Sequence, residues 1–262
     1  MIESPTDKLI VEQRGHVLVL TINTPPANTW DVESLGGLVS IIQQCSDAKD
    51  VYSIVITGQG EKFFSAGADL KLFADGDKDV ASSMAESFGA AFETLSEFRG
   101  VTIAAINGFA MGGGLECALA CDIRIAEVQS QMALPEATVG LLPCGGGTQN
   151  LAWTVGEGWA KRLILCGERV TGDKALSIGL VEEVVDTGQS LGRALELAEM
   201  VGNQSPPAVS ASKTLIQRAR SGTINESYGV ERGAFVDLFD TQDQKEGVQA
   251  FLEKRSPEWI NG

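Results

Sequence analysis

Hydrophobic positions along this chain switch between two rhythms, and each switch marks an element. Leu9 to Glu12 and His16 to Ile22 are β-rich runs meeting at Arg14-Gly15, which predicts a hairpin. After a loop holding Pro25-Pro26, Asp31 can cap a helix that sets Leu35, Leu38, Val39, Ile42 and Cys45 on one face. Val51 to Thr57 reads as a buried strand. It leads through Gly58-Gln59-Gly60 and the stretch Phe63 to Lys71 into a polar linker and a helix around Ala81 to Phe98. Val101 to Asn107 is the next strand, with Gly108 to Gly114 as its exit loop, and Leu115 to Cys121 has no breaker and reads as a helix buried on most faces. Strand, Gly-rich loop and helix thus occur twice in that order, and the hairpin with its helix is a looser third copy. An α/β fold of stacked β/β/α units is predicted.

Beyond Ile123 to Ala126, a short strand, Pro135-Glu136 opens a helical or turn segment that ends at Pro143. Gly145 to Gly147 introduces helices near Thr148 to Thr154 and Glu157 to Leu165; Thr171 to Ile178 reads as helix and Val181 to Val185 as a last strand. From about Gln189 onward only amphipathic helices are expected, broken at Pro206-Pro207, Gly222 and Thr241. The boundary falls near residues 190 to 205, giving a core of 1–195 and a helical region of 196–262. Apolar stripes in that region predict an assembly surface.

Composition narrows the function classes. With 262 residues, 44% of them apolar, the chain can bury a sizeable core. Twenty basic against 35 acidic residues leave no broad positive field, so neither a nucleic acid nor a membrane surface is an expected partner. Five cysteines with no C-x-x-C pair fit a reducing compartment and mostly buried thiols. Cys117 and Cys121 stand one helical turn apart but have no further soft ligand near them, so no metal is expected. The start, MIESPTDKLI, lacks a basic segment followed by a long apolar run, and a cytoplasmic protein is expected.

A single histidine removes Ser-His-Asp and Cys-His schemes, because only His16 could supply the imidazole and it sits in the hairpin, where a structural role is expected. No G-x-G-x-x-G opens a helix after a strand, and no P-loop occurs. What remains is carboxylates and backbone donors. Gly112 to Gly114 open a helix whose first N–H groups lack internal partners, and Glu116 is the lone charge among apolar residues there. Pro135-Glu136 brings a second carboxylate, and Gly67-Ala68 a second glycine turn. Singly, each glycine stretch reads equally well as tight packing. Together with Glu116 they fit acyl chemistry at a thioester, which needs two converging N–H donors for an enolate oxygen and a carboxylate near Cα or Cβ. Asp69 and Asp122 read as a cap and a structural acceptor, and Gly145 to Gly147 as a second helix entry.

The motifs Ser65-Ala66-Gly67-Ala68-Asp69-Leu70-Lys71, Gly112-Gly113-Gly114-Leu115-Glu116, Leu134-Pro135-Glu136, Gly145-Gly146-Gly147-Thr148-Gln149 and Gly179-Leu180-Val181, in that order, resemble the crotonase, or enoyl-CoA hydratase/isomerase, superfamily. The likeness extends to Lys245-Glu246-Gly247 and Phe251 to Arg255. It implies a spiral of β/β/α units with a C-terminal helical trimerisation region, assembled as a homotrimer or as a hexamer of two trimers. It implies an oxyanion hole from the N–H groups of Ala68 and Gly113, catalytic roles for Glu116 and Glu136, and acyl-CoA contacts from Ala66, Ala68, Asp69, Leu70, Lys71 and Gly113. Lys254 would reach the CoA 3′-phosphate on a neighbouring subunit. The activity so implied is hydration of trans-2-enoyl-CoA without metal or redox cofactor. The alternatives are a Δ3,Δ2-enoyl-CoA isomerase and a non-catalytic binding or assembly member of the fold. Trp30, Cys144 and Asn150-Leu151 depart from the common pattern, and Trp30 is expected to shape the acyl pocket.

Overall fold

Four times in succession the chain lays down a long strand, then one or two short ones, then a helix. The computed structural model of the protein describes residues 2–262. Its strands are β1 (Leu9–Arg14), β2 (Val17–Ile22), β3 (Thr29–Trp30), β4 (Ser53–Gly58), β5 (Phe63–Ser65), β6 (Gly67–Ala68), β7 (Val101–Ile106), β8 (Phe109–Met111), β9 (Ile123–Glu127), β10 (Gln131–Ala133), β11 (Val170–Thr171) and β12 (Glu183–Val185). Its α-helices are α1 (Val32–Asp47), α2 (Lys78–Glu97), α3 (Gly113–Ala120), α4 (Gly147–Leu165), α5 (Gly172–Ser177), α6 (Ser190–Gly202), α7 (Pro206–Arg218), α8 (Ile224–Asp237) and α9 (Gln242–Glu253).

The long strands form a six-stranded sheet in the order β1-β2-β4-β7-β9-β12, parallel except for the β1–β2 hairpin. The short ones form a four-stranded sheet, β11-β10-β8-β5, and the pair β3–β6. The turns that start at β4, β7 and β9 each give one strand to each larger sheet before the helix, and the first, from β2, gives its short strand to the β3–β6 pair. That is the predicted β/β/α stacking, with the second strand of each unit hidden in what reads as loop.

Parallel strands buried on both faces need apolar residues in both directions, and the six-stranded sheet has them. Leu18, Leu20, Ile54, Ile56, Ala104, Ile106 and Ala126 face the main core under α1 and α2. Val17, Val55, Ile103, Ala105 and Ile125 face Ala194 and Ala198 of α6. Thus α6 closes the far side of the sheet and runs unbroken through residue 195. The helix spans the 195/196 boundary expected from the sequence, and Pro206 starts α7 after it.

Local signals held at several element ends. Asp31 and Ser34 form a reciprocal capping box at α1. The two helices expected around residue 155 are halves of α4 on either side of Gly156, whose left-handed backbone (φ 79°) breaks the helix. His16 stacks flat on Tyr52, with ring centroids 4.1 Å apart, and its Nδ1 lies 2.9 Å from the Asp50 carbonyl oxygen, a structural setting. All five cysteines are free; Cys45, Cys117 and Cys121 are buried, whereas Cys144 and Cys166 are exposed. On α7 to α9 large apolar side chains stand in the open, Phe251 at 83% and Leu252 at 74% exposure.

Candidate active site

Gly67 and Gly113 meet because neither carries a side chain. A Cβ on Gly67 would lie 2.7 Å from the Met111 carbonyl oxygen and 2.9 Å from the Gly113 nitrogen, and its φ of +87° already favours glycine. One on Gly114 would lie 2.1 Å from the Ser65 carbonyl oxygen. These absent atoms let the N-terminus of α3 press against β5 and β6. Asp69 N–H donates to the Trp30 carbonyl of β3 at 3.2 Å. Successive N–H groups of an extended strand point to opposite sides, so the Ala68 N–H faces away from β3. Gly113 N–H, in the first turn of α3, has no partner within the helix. Both residues line one cavity of about 470 Å³.

Glu116 and Glu136 line the same cavity, and their surroundings differ. Glu116 is 2% exposed, and its Oε1 accepts from the Gly145 and Gly147 N–H groups, each at 2.8 Å. Burial raises its carboxyl above the ordinary range, while the two N–H donors oppose that rise by favouring the anion. Glu136 opens a 3₁₀ turn, Glu136–Val139, and its buried Oε2 has no hydrogen-bond partner. Burial, with the nearby Glu116 charge adding to it, pushes this carboxyl up to about 7. Glu116 thus has two backbone donors that favour its anion, whereas the Oε2 of Glu136 has no donor and that carboxyl retains a proton near neutrality. Cys144 opens onto the same space, and desolvation together with the two carboxylates pushes its thiol up to about 11.

The cavity collects nearly every residue that the sequence singled out. Ala66, Asp69, Leu70 and Lys71 line its mouth together with Phe73, Val139, Leu141 and Leu142, and Phe88 lines its wall. Asp69 caps the 3₁₀ turn Leu70–Phe73 by accepting from Lys71 N–H, and Asp122 accepts from the Thr102 N–H and hydroxyl, the structural roles expected of them. One expectation needs correction. Trp30 does not line the cavity: it is fully buried behind it, because neighbouring strand residues point to opposite faces and Thr29 takes the cavity side. Lys254, the left-handed residue ending α9, lies outside the cavity of its own chain, and the expectation for it concerns a neighbouring subunit's site. Sequence reasoning gave Gly145 to Gly147 only a helix-entry role and missed that it holds Glu116; it also missed Phe88. Among the described residues no group of three or more His, Cys, Asp or Glu is arranged to hold a metal ion, and no helix is long and apolar enough to cross a membrane.

The profile of one protein family, enoyl-CoA hydratase/isomerase, matches residues 12–262. The short-chain-enoyl-CoA hydratase of Clostridium acetobutylicum is 38% identical over 257 residues, 96% of this chain and 97% of that protein. Among solved structures, Pseudomonas aeruginosa DspI superposes with a TM-score of 0.95 at 64% identity, covering 97% of each chain. An enoyl-CoA hydratase from Bacillus anthracis superposes with a TM-score of 0.94 at 34% identity, covering 98% of this chain and all of that one.

Proposed function

This chain belongs to the enoyl-CoA hydratase/isomerase family, and from that premise we propose that it is an enoyl-CoA hydratase, adding water across the 2,3 double bond of a trans-2-enoyl-CoA to give the 3-hydroxyacyl-CoA. The observation that carries this reading is the asymmetry between two carboxyl groups facing one cavity. The Ala68 and Gly113 N–H groups donate to the thioester carbonyl oxygen and hold the negative charge that develops there, a stabilisation worth roughly 3 kcal/mol per donor. Glu116, ionised, takes a proton from water as the oxygen bonds to Cβ. The electrons of the double bond move onto the thioester oxygen, giving the enolate. Glu136, protonated, returns a proton to Cα as the carbonyl re-forms, and water has been added on one face. No resident cofactor enters these steps, because coenzyme A belongs to the substrate.

Glu116→Gln and Glu136→Gln test the roles, since glutamine keeps the shape but cannot take up a proton as a carboxylate does. Each change is expected to cost on the order of 10² to 10⁴ in turnover on 2-enoyl-CoA, with substrate binding much less affected. Loss in only one variant removes the two-carboxylate mechanism. A wild type that moves the double bond of 3-enoyl-CoA but hydrates no 2-enoyl-CoA of any length is an isomerase.

The exposed apolar residues of α7 to α9 support assembly through this region, and we propose a homotrimer or a pair of trimers in the cytoplasm. Lys254 would then serve a neighbour's site. Light scattering at trimer or hexamer mass is expected, and a monomer would remove this part of the reading.

A further inference from the structure

Three aromatic side chains connect the separate parts of the site. Trp30 sits on β3, whose partner in register is Ala68 on β6. Its indole meets the Phe92 ring edge-on, with centroids 6.0 Å apart and planes at 77°. Phe92 meets Phe88, one turn earlier on α2, at 5.6 Å and 61°. Both spacings and angles suit edge-to-face attraction. Each Phe then presses on a glycine that the mechanism uses. A Cβ on Gly113 would lie 2.7 Å from Phe88 Cε1, and one on Gly145 would lie 2.6 Å from Phe92 Cδ2. The stack therefore touches the strand beside one oxyanion donor, the other donor, and the loop whose N–H groups hold Glu116.

One detail argues that shape, rather than fold stability, keeps the indole there. Trp30 is fully buried, yet its Nε1–H has no partner, a cost that a phenylalanine would avoid.

We propose that Trp30, Phe92 and Phe88 are positioning residues: a packed spine that fixes the distance between the oxyanion donors and the Glu116 clamp. The inference rests on the hydratase reading above. Nothing in it requires Trp30 to touch substrate, and only Phe88 meets the cavity.

The test is steady-state hydration by Phe92→Leu, Phe88→Leu, Trp30→Leu and Trp30→Phe, with kcat and KM separated and kcat/KM followed against pH. Phe92→Leu frees the Gly145 loop, so kcat should fall about tenfold or more, as expected for reacting groups displaced by a fraction of an ångström, while KM changes less than threefold. Glu116 also loses donors that favour its anion, so the acidic limb of the profile should move to higher pH; the other titratable groups beside it, Glu136 and Cys144, are unaltered. Phe88→Leu should lower kcat through Gly113 with that limb in place. Trp30→Leu should repeat the Phe92 result. Trp30→Phe keeps an aromatic edge and should rescue it with equal or higher thermal stability.

A merely structural stack would lower activity only in proportion to the folded fraction, leaving the limb unmoved. Wild-type kcat and an unmoved limb in folded Phe92→Leu overturn the proposal while leaving the hydratase reading intact. Absence of hydration in the wild type overturns that reading first. Should Phe92→Leu not fold, Phe92→Met, closer in volume, carries the same two readouts.

Discussion

Gly147 is the position at which the chemistry of Glu116 can be altered by one methyl group. A Cβ there would lie 2.8 Å from Glu116 Oε1, 3.0 Å from Glu116 Cγ and 2.9 Å from Pro143 Cβ. Ordinary non-bonded contact begins near 3.5 Å, so in Gly147→Ala the carboxylate must retreat by about 0.5 Å. With a retreat of that size both of its 2.8 Å bonds, from Gly145 and Gly147, lengthen to about 3.3 Å, past the preferred range, and weaken. Hydrogen bonds to a charged group contribute about 1.5–3 kcal/mol each, so weakening these two removes part of what opposes burial and raises the Glu116 carboxyl further. The rate of hydration at neutral pH should fall about tenfold or more, as expected for a displaced reacting group, with the acidic limb of the pH profile moving to higher pH. Apart from the Glu116 and Pro143 contacts, alanine suits the position, since Gly147 opens α4 without a left-handed backbone and alanine favours helix.

Gly158, in the same helix with open space around it, supplies the control: Gly158→Ala should leave turnover unchanged and stability equal or slightly higher. Loss of absorbance of the conjugated thioester measures the rate, and thermal unfolding verifies the fold. If folded Gly147→Ala keeps both the wild-type rate and the wild-type limb, the two N–H donors do not set the state of the catalytic base.

Two further changes probe how the site and the fold share their energetics. Glu136 has its folded pKa raised from 4.5 to about 7, so its contribution to stability is complete below about 4.5 and is lost as pH rises through 7. Glu136→Gln should therefore stabilise the protein at pH 8, by about 2 kcal/mol after allowance for its partial exposure, and have little effect at pH 4, read from denaturant midpoints. Lys213 of α7 donates to Phe98 and Gly100 carbonyls at 2.7 and 3.0 Å and pairs with Asp122 at 2.8 Å. Lys213→Met leaves Asp122 without its cation and should cost about 3 kcal/mol; a midpoint within error of wild type would show that α7 is held by other contacts.

The features legible in the sequence were those fixed by neighbours. The hairpin at Gly15, the Asp31 cap and the break in α4 each follow from a few adjacent residues. Strands β5, β6, β8, β10 and β11 are two or three residues long, too short for any periodicity to register, so Phe109 to Met111 read as loop. The stripe on α6 was visible, but a stripe does not say whether a sheet or another subunit will cover it. At the site, Glu116 stood out as one charge in an apolar helix. Its clamp did not, because nothing near Gly145 signals that the chain folds back onto a carboxylate 29 residues upstream. Trp30 invites a pocket reading because it departs from the family's common pattern in the loop; the alternation of β3 turns it to the other side.

That clamp also fixes when the protein can begin to work. The proposed base is Glu116, but the N–H groups that its carboxylate accepts from are made 29 and 31 residues later, and Ala66, near the proposed oxyanion donor Ala68, is tied back by its N–H to the Ala27 carbonyl. Closing such loops is slow relative to local helix formation, so the site is among the later parts of the molecule to exist. A nascent chain on the ribosome that has not yet released residue 147 carries both carboxylates without the arrangement that sets them apart. Products of premature termination before that point should be inert on thioesters, and in the cell activity would report completed translation through α4.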